Sequence, residues 1–187
     1  VILLSPFDIH FSQTRVRAEF QDGRRLEETA AEIRAAPRSG EGGGFEDKSE
    51  RPKGQHMLLS CPFPRVEVIR WRCKLRQADG SAKVDPATGH SLYSREERWF
   101  TFDNRRLFCL QRAAVRVWPA EARVEVVEVP ITKARVRELR KFDTTTFGCS
   151  VLVGRRDDPT PESWSWRPEV GLPDEAQPEE GVARESH

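Results

Sequence analysis

The sequence predicts a small α+β domain, residues 1–154, followed by an acidic, disordered C-terminal tail, residues 155–187. Three observations support this. Short stretches of alternating apolar and polar residues are typical of strands, and two segments carry apolar residues at helical spacing. The end of the chain is rich in Pro, Glu and Asp, a composition that favours disorder. Because arginine is frequent in the domain, we expect a basic domain beside an acidic tail.

The N-terminal third predicts one strand and one helix before a polar insert. Residues 7–11 alternate weakly between apolar and polar, which predicts a short strand. Residues 23–36 repeat apolar side chains at helical spacing, and Pro37 is expected to end that helix. The insert, residues 38–60, contains a charged Gly-rich stretch that predicts a flexible loop.

The middle of the chain predicts a β-hairpin followed by a helix. Residues 65–73 form a β-branched strand, and residues 98–102 form the returning strand of alternating aromatics. Between them lies a second polar insert, residues 77–96, with several turn signals. A helix is predicted over 103–117, with apolar residues on one face.

The rest of the predicted domain contains a strand over 124–129, a short basic helix over 131–139 and a last strand over 149–153. The tail is interrupted by Trp164 and Trp166, two large aromatic residues without a local core. Two interpretations stay open: these side chains dock back on the domain, or they form a short motif that binds a protein partner.

The composition limits the core and the class of protein. Charged residues make up 33% of the 187 residues, hydrophobic residues 37%, and the mean hydropathy is −0.66, so the core must be small. No apolar run approaches 18 residues, so we expect no membrane-spanning helix and no membrane partner. The 4 cysteines lack CxxC spacing. We expect reduced thiols in an intracellular compartment: the cytoplasm, the nucleus or an organelle.

The most informative segment is the passage from the returning strand into the following helix. A strand that enters a helix directly presents free backbone N–H groups, and Arg105 and Arg106 add two guanidinium groups beside them. Asp103 is expected to cap the helix, which is worth about 1 kcal/mol. Two interpretations stay open. Residues Asp103 and Asn104 with the two arginines form either a cap and structural ion pair or a phosphate-binding site.

Two other basic groups raise the same question. Arg24 and Arg25 lie near the start of the first predicted helix, where they either complete an anion cluster or belong to a solvated helix face. Basic residues also alternate along the first strand of the hairpin and recur on the second helix: Arg70, Arg72, Lys74, Arg112 and Arg116. They form either a track that binds nucleic acid or an exposed basic face whose charge is balanced by the acidic tail. The histidines and cysteines lack metal-ligand spacing, so no metal site is expected.

The order of elements resembles the ParB/sulfiredoxin-like superfamily. The segments that carry this resemblance are residues 24–33, 66–69, 99–107 and 124–129. It covers roughly residues 6–129 apart from the two inserts. The resemblance implies a mixed sheet flanked by helices, with an anion-binding pocket at the turn before the second helix.

The turn itself departs from the pattern of that superfamily. Asp103 stands where the family has Gly, and Asn104 stands where ParB proteins have Glu and sulfiredoxins have the catalytic Cys. Arg105 and Arg106 match the basic pair of the family that contacts phosphate. The nearest thiol, Cys109, lies more than one helical turn further on. The resemblance therefore implies phosphate binding, with a nucleoside triphosphate and Mg²⁺ as the implied cofactor, and not sulfiredoxin chemistry.

Three functions follow from the sequence. The first is binding of a phosphate-bearing ligand, a nucleotide or nucleic acid, without efficient catalysis. The second is a nucleotide-dependent hydrolase or nuclease in which Asp103 supplies the acid. The third is a protein-interaction module or accessory subunit that uses Trp164, Trp166 and the basic strand face.

Overall fold

Alternating apolar segments pair into two sheets, which confirms the predicted α+β class. The computed structural model describes residues 1–39, 55–77, 79–132, 138–139 and 141–175. The strands are β1 (Ile2–Leu4), β2 (Ile9–His10), β3 (Arg15–Val16), β4 (Arg34–Ser39), β5 (Gln55–Ser60), β6 (Val66–Trp71), β7 (Arg98–Thr101), β8 (Ala122–Glu128), β9 (Val151–Val153) and β10 (Glu162–Trp164). The helices are α1 (Leu26–Glu32), α2 (Asn104–Val117) and a single turn, Trp166–Glu169, with a 3-10 turn at Pro6–Asp8.

The larger sheet is mixed and has seven strands, in the order β2-β7-β6-β8-β5-β4, with β1 beside β8. The predicted hairpin is confirmed: β6 and β7 are antiparallel, with Arg70 opposite Trp99. β8 runs parallel to β6, with Val66 opposite Val126. The smaller sheet contains three strands, in the order β10-β9-β3.

Helix α2 supplies much of the main core, as its apolar spacing predicted. Leu107, Leu110 and Ala114 recur on one face and are fully buried, together with Phe108 between them. These side chains belong to the same cluster as strand residues of β6 and β8 and the buried residues of α1. The burial of this face contributes more to the stability of α2 than intrinsic helix propensity does.

The prediction of one helix over residues 23–36 is wrong. Helix α1 ends at Glu32, and the chain turns at Ile33 into β4, which pairs antiparallel with β5. Pro37 is tolerated because β4 is the last strand of the sheet order, where a residue without an N–H can face away from the ladder. Long-range pairing therefore determines the structure of this segment.

The same pairing changes the interpretation of the first polar insert. The end of the predicted polar insert, Gln55–Ser60, forms β5, which pairs with β8 through Met57 and Leu58. Residues 40–54, which include the Gly-rich stretch, lie outside the described residues. Most of the predicted basic helix over 131–139 also lies outside them. The expected last strand is confirmed as β9.

The predicted disorder of the tail is wrong for residues 155–175. Strand β10 pairs antiparallel with β9, which places Trp164 opposite Val151. Trp164 is 2% exposed, and its ring lies edge-on to Phe108 with centroids 5.4 Å apart. The composition suggested disorder, but one buried tryptophan removes enough apolar surface from water to fix a short segment. Residues 176–187 lie outside the described residues.

The two tryptophans dock on the domain. The indole N–H of Trp164 donates a hydrogen bond to Gln111 Oε1 at 3.2 Å. Trp166 stacks on Phe7, with ring centroids 4.1 Å apart. Of the two interpretations left open by the sequence, docking is therefore the one observed. No helix in the described part of the chain is long and apolar enough to cross a membrane.

Substitution of Trp164 by Ala is expected to lower the free energy of unfolding by about 3–5 kcal/mol, because it opens a cavity in the core and leaves the buried Oε1 of Gln111 without its donor. Urea denaturation followed by circular dichroism measures the loss. The matched control is Glu162→Ala, an exposed position on the same strand, which should change stability by less than about 0.5 kcal/mol. Equal losses in the two variants would contradict the placement of Trp164 in the core.

Candidate anion-binding site

An open cleft of about 800 Å³ lies at the start of α2. Five arginines line it: Arg15, Arg17, Arg24, Arg105 and Arg106. Two carboxylates, Asp22 and Asp103, face the same space, so the lining carries a formal charge of +3. Three of the arginines were predicted as phosphate ligands, and the structure brings these three together.

A tight turn before α1 brings Arg24 to the cleft. The Phe20 N–H donates to the Arg24 carbonyl at 2.9 Å, and the Gly23 N–H donates to the Phe20 carbonyl at 3.2 Å. Gly23 has a φ of +84°, a conformation that glycine adopts without steric cost. Asp22 accepts from Arg24 Nε at 2.9 Å. Hydrogen bonds from the backbone and side chain of Arg24 hold the pKa of Asp22 below its usual value.

The ring of Phe20 gathers two of the guanidinium groups. The guanidinium carbon of Arg24 lies 5.8 Å from the ring centroid and that of Arg105 lies 5.7 Å from it. Each contact is a cation–π interaction worth about 0.5–1 kcal/mol at an exposed site. The aromatic ring therefore places cations from two distant segments of the chain at one point of the cleft.

Asp103 does not cap α2, contrary to the prediction. Its Oδ2 accepts from the Glu67 N–H at 3.0 Å, and its Oδ1 accepts from Arg106 Nη1 at 3.0 Å. Helix α2 has no side-chain cap. The carboxylate instead fastens the helix start to β6, because the tertiary contact with Glu67 uses the oxygen that a cap would need. The ion pair with Arg106 is thus observed without the cap, and phosphate binding at this turn stays a prediction.

Asn104 has a structural role at the base of the cleft. Its Oδ1 accepts from the Ser12 N–H at 2.8 Å, and its Nδ2 donates to Ser12 Oγ at 2.9 Å. The residue is 5% exposed. These bonds fasten the loop after β2 to the first residue of α2, and they engage both ends of the Asn104 amide.

The cleft arginines differ in how they are held. Arg105 Nη1 donates to the Glu19 carbonyl at 2.8 Å, and Arg15 Nη1 donates to the Arg155 carbonyl at 2.6 Å. Arg17 is exposed, and its side chain has no hydrogen bond or ion pair with any other described residue. Arg15, Arg17 and Phe20 were missed in the sequence, although Arg15 and Arg17 alternate in the manner of a strand face.

Arg25 does not line the cleft. It precedes α1 as the residue at its N-terminal boundary, and its side chain is exposed. The structure therefore separates Arg24 from Arg25, which the sequence grouped together.

The candidate nucleic-acid residues on the strand lie along the hairpin. The guanidinium carbon of Arg70 lies 4.3 Å from the ring centroid of Trp99, and Arg72 Nε lies 3.8 Å from Glu97 Oε1. Lys74 is exposed and forms a β-bridge with Tyr93.

The two candidates on the helix, Arg112 and Arg116, connect α2 to α1. Arg112 Nη2 donates to Glu27 Oε2 at 3.0 Å. Arg116 Nη2 donates to the carbonyls of Ala30 and Ile33, at 2.8 and 3.1 Å, which satisfies groups at the end of α1. The predicted basic track is thus divided into two groups with separate contacts.

A second polar cluster lies apart from the cleft lining and has no signal in the sequence spacing. It joins His10, Cys149 and Glu175, whose donor atoms all lie within 4.8 Å of one another. Arg98 contacts Glu175, and its Nη1 lies 3.3 Å from His10 Nε2. Burial and the charge of Arg98 lower the pKa of His10. Burial raises the pKa of Cys149 to about 12.

All four cysteines are unpaired, and burial raises the pKa of each. The pKa rises to about 11 for Cys61 and to about 12 for Cys109, which is fully buried in α2. Thiolates are therefore scarce at neutral pH.

No family model, curated protein or solved structure matches this chain. The resemblance to the ParB/sulfiredoxin-like superfamily stays a prediction.

Substitution of Asn104 by Ala is expected to lower the free energy of unfolding by about 1–3 kcal/mol, because the buried N–H of Ser12 loses its acceptor. Urea denaturation measures the loss. The double variant with Ser12→Ala should cost less than the sum of the two single variants, because the side chains share hydrogen bonds. Additive losses would contradict the proposed link between the two residues.

The thiols should react slowly in the folded protein. At pH 8 we expect alkylation by iodoacetamide to be at least about 100-fold slower than in the urea-unfolded chain, since thiols with such high pKa values form little thiolate. Mass spectrometry of timed samples assigns each rate to its cysteine. A single rapidly labelled cysteine would reveal an accessible nucleophile and contradict this expectation.

Proposed function

We propose that the cleft at the start of α2 binds a phosphate-bearing ligand, a nucleotide or a nucleic-acid strand, without efficient catalysis. The observation that carries the proposal is the convergence of five arginines on one cleft whose lining has a formal charge of +3. Guanidinium groups have a planar fork of N–H donors that matches phosphate oxygens, and their charge persists at any physiological pH.

The position of the arginines on α2 supports an anion. Arg105 and Arg106 lie in the first turn of a 14-residue helix, where the macrodipole is positive and disfavours added cations. The first turn also lacks a side-chain cap and borders the cleft. A bound phosphate would accept from this turn and from the guanidinium groups together, so one ligand offsets both unfavourable features.

Aromatic side chains in the lining favour a ligand with a base. Phe20 and Phe63 are half-buried, with ring centroids 6.4 Å apart, and Phe102 lines the same cleft. Bases stack on aromatic rings regardless of sequence, and a basic cleft with such rings is typical of sites for nucleotides and single strands. The cleft volume of about 800 Å³ lies in the range of small-molecule sites.

The carboxylates of the cleft argue for binding rather than hydrolysis. Both oxygens of Asp103 are engaged, one by the Glu67 N–H and one by Arg106. Asp22 pairs with Arg24, and its lowered pKa makes it a weaker base. A general base must be free to accept a proton in the substrate complex.

The docking of Trp164 and Trp166 on the domain removes the main support for the third candidate function, a protein-interaction module.

Arg17→Ala is expected to weaken binding of a nucleoside triphosphate or a short single-stranded oligonucleotide about tenfold, since a charge-assisted hydrogen bond is lost. Fluorescence anisotropy with labelled probes measures both affinities. Arg25→Ala is the matched control, because it removes the same charge from an exposed residue outside the cleft. The affinity of Arg25→Ala for either probe should change by less than about twofold. Unfolding temperatures measured without ligand verify that both variants are folded.

The comparison of the two probes identifies the ligand class. If the triphosphate binds as well as the oligonucleotide, the site holds a single nucleotide. Binding of the oligonucleotide alone, with a steep dependence on salt, indicates a nucleic acid. Equal losses in Arg17→Ala and Arg25→Ala would mean that diffuse surface charge explains the binding. Release of inorganic phosphate during the titration would overturn the statement that catalysis is inefficient.

A further inference from the structure

We propose that His10, Cys149 and Glu175 together bind a zinc ion. This inference is independent of the proposed function of the cleft. The three side chains offer an imidazole nitrogen, a thiol sulfur and a carboxylate oxygen, which are the ligand types that zinc prefers. A site with sulfur and nitrogen donors does not suit Mg²⁺ or Ca²⁺, which take oxygen ligands.

The donor atoms are nearly close enough to share one ion. Cys149 Sγ lies 3.4 Å from Glu175 Oε2, and His10 Nε2 lies 3.9 Å from the same oxygen. All three donor atoms lie within 4.8 Å of one another. Zinc bonds of about 2.0 Å to N or O and 2.3 Å to S place tetrahedral ligands about 3.3–3.6 Å apart. Binding therefore requires the widest pair of donor atoms to approach by at most about 1.5 Å.

A backbone carbonyl orients the imidazole for metal binding. His10 Nδ1 lies 3.3 Å from the Trp99 carbonyl oxygen, an acceptor that requires the ring proton on Nδ1. With that proton on Nδ1, Nε2 keeps its lone pair, and its neighbours are Arg98 Nη1 at 3.3 Å and Glu175 Oε2 at 3.9 Å. Metal-binding histidines commonly have such a partner on the second nitrogen. The parallel pairing of β2 with β7, with His10 beside Phe100, fixes the position of this ring.

An unusual backbone segment brings the thiol to the histidine. Phe147 and Gly148 both have positive φ, +54° and +76°. The Phe11 N–H donates to the Gly148 carbonyl at 2.9 Å, and a Cβ on Gly148 would lie 2.5 Å from the Phe11 carbonyl oxygen. Only glycine permits this close approach, which places Cys149 beside His10. A strained conformation of this kind recurs at functional sites.

Arg98 would compete with the ion for His10 and Glu175, because it contacts both side chains. Its guanidinium group contacts Glu175, and Nη1 lies 3.3 Å from His10 Nε2. On binding, Zn²⁺ replaces these contacts and the thiol proton of Cys149 passes to solvent. The thiolate and carboxylate then balance the two charges of the ion, and the fourth position remains for water. The ligands come from β2, the segment before β9 and the end of the described chain, so the ion would fasten three distant segments together.

Titration of the full-length, metal-free protein with Co²⁺ tests the proposal, because cobalt replaces zinc and reports thiolate ligation. We expect a near-ultraviolet thiolate-to-cobalt charge-transfer band that saturates at one equivalent and disappears when Zn²⁺ is added. Cys149→Ser should abolish the band, and Cys61→Ser, the matched control on a different thiol, should retain it. A band that survives in Cys149→Ser, or no band in the wild type, overturns the proposal.

Two further variants guard against misfolding of Cys149→Ser. His10→Gln should weaken Co²⁺ binding by at least about tenfold, since even the second-shell partners of metals are worth about 10–100-fold in affinity. Arg98→Gln should strengthen it, because the competing cation is gone. If the cluster is only a structural ion pair without affinity for metal, Arg98→Gln should lower the unfolding temperature and no variant should show a cobalt band. Either unchanged affinity in His10→Gln or weakened affinity in Arg98→Gln overturns the assignment.

Discussion

Gln111, a polar residue at the buried centre of α2, connects three parts of the fold that are distant in sequence. Its Nε2 donates to the carbonyls of Pro6 and Ile9, both at 3.3 Å, and its Oε1 accepts from the indole of Trp164. At 1% exposure the amide has no access to water, so a missing partner would cost about 1–3 kcal/mol. The N-terminal segment and the C-terminal segment must both reach α2 for the amide to be satisfied. This requirement fixes both ends of the described fold around one helix.

The same face of α2 determines the position of both polar sites. Asn104 and Gln111 are seven residues apart, close to two helical turns, so their side chains lie on one face. One amide binds Ser12 and the other binds the carbonyl of Ile9. The chain between these anchors contains His10, which therefore has little freedom to reorient. Gln13, the residue after Ser12, lines the cleft, and His10 of the second cluster lies within the anchored segment. A buried amide pair that stabilises the fold thus also orients the groups that carry both proposals.

The sequence predicted the elements whose patterns are local and failed where distant pairing decides. The hairpin of β6 and β7 and the helix α2 have strong internal periodicity, and both were located correctly. The first half of β4, residues 34–36, was assigned to a helix, because the strand is defined by its pairing with β5, which lies at the far end of the polar insert and leaves no local signal. In the cleft, Arg24, Arg105 and Arg106 were found, whereas Arg15 and Arg17 were not. These two lie in and directly after β3, a strand of two residues that is defined by its partner β9. No spacing rule could have joined residues 10, 149 and 175.

The way in which the cleft arginines are held determines where an anion would bind. Arg24 and Arg106 pair with carboxylates, which offset part of their charge. Arg15 and Arg105 are held by backbone carbonyls, which orient the guanidinium groups without cancelling a full charge. Because these side chains are already ordered in the folded protein, less conformational entropy is lost when a ligand binds. The attraction for phosphate is therefore strongest along Arg15, Arg17 and Arg105. Of these, Arg17 loses no contact with the described protein when it turns toward a ligand, whereas the other two are already in place.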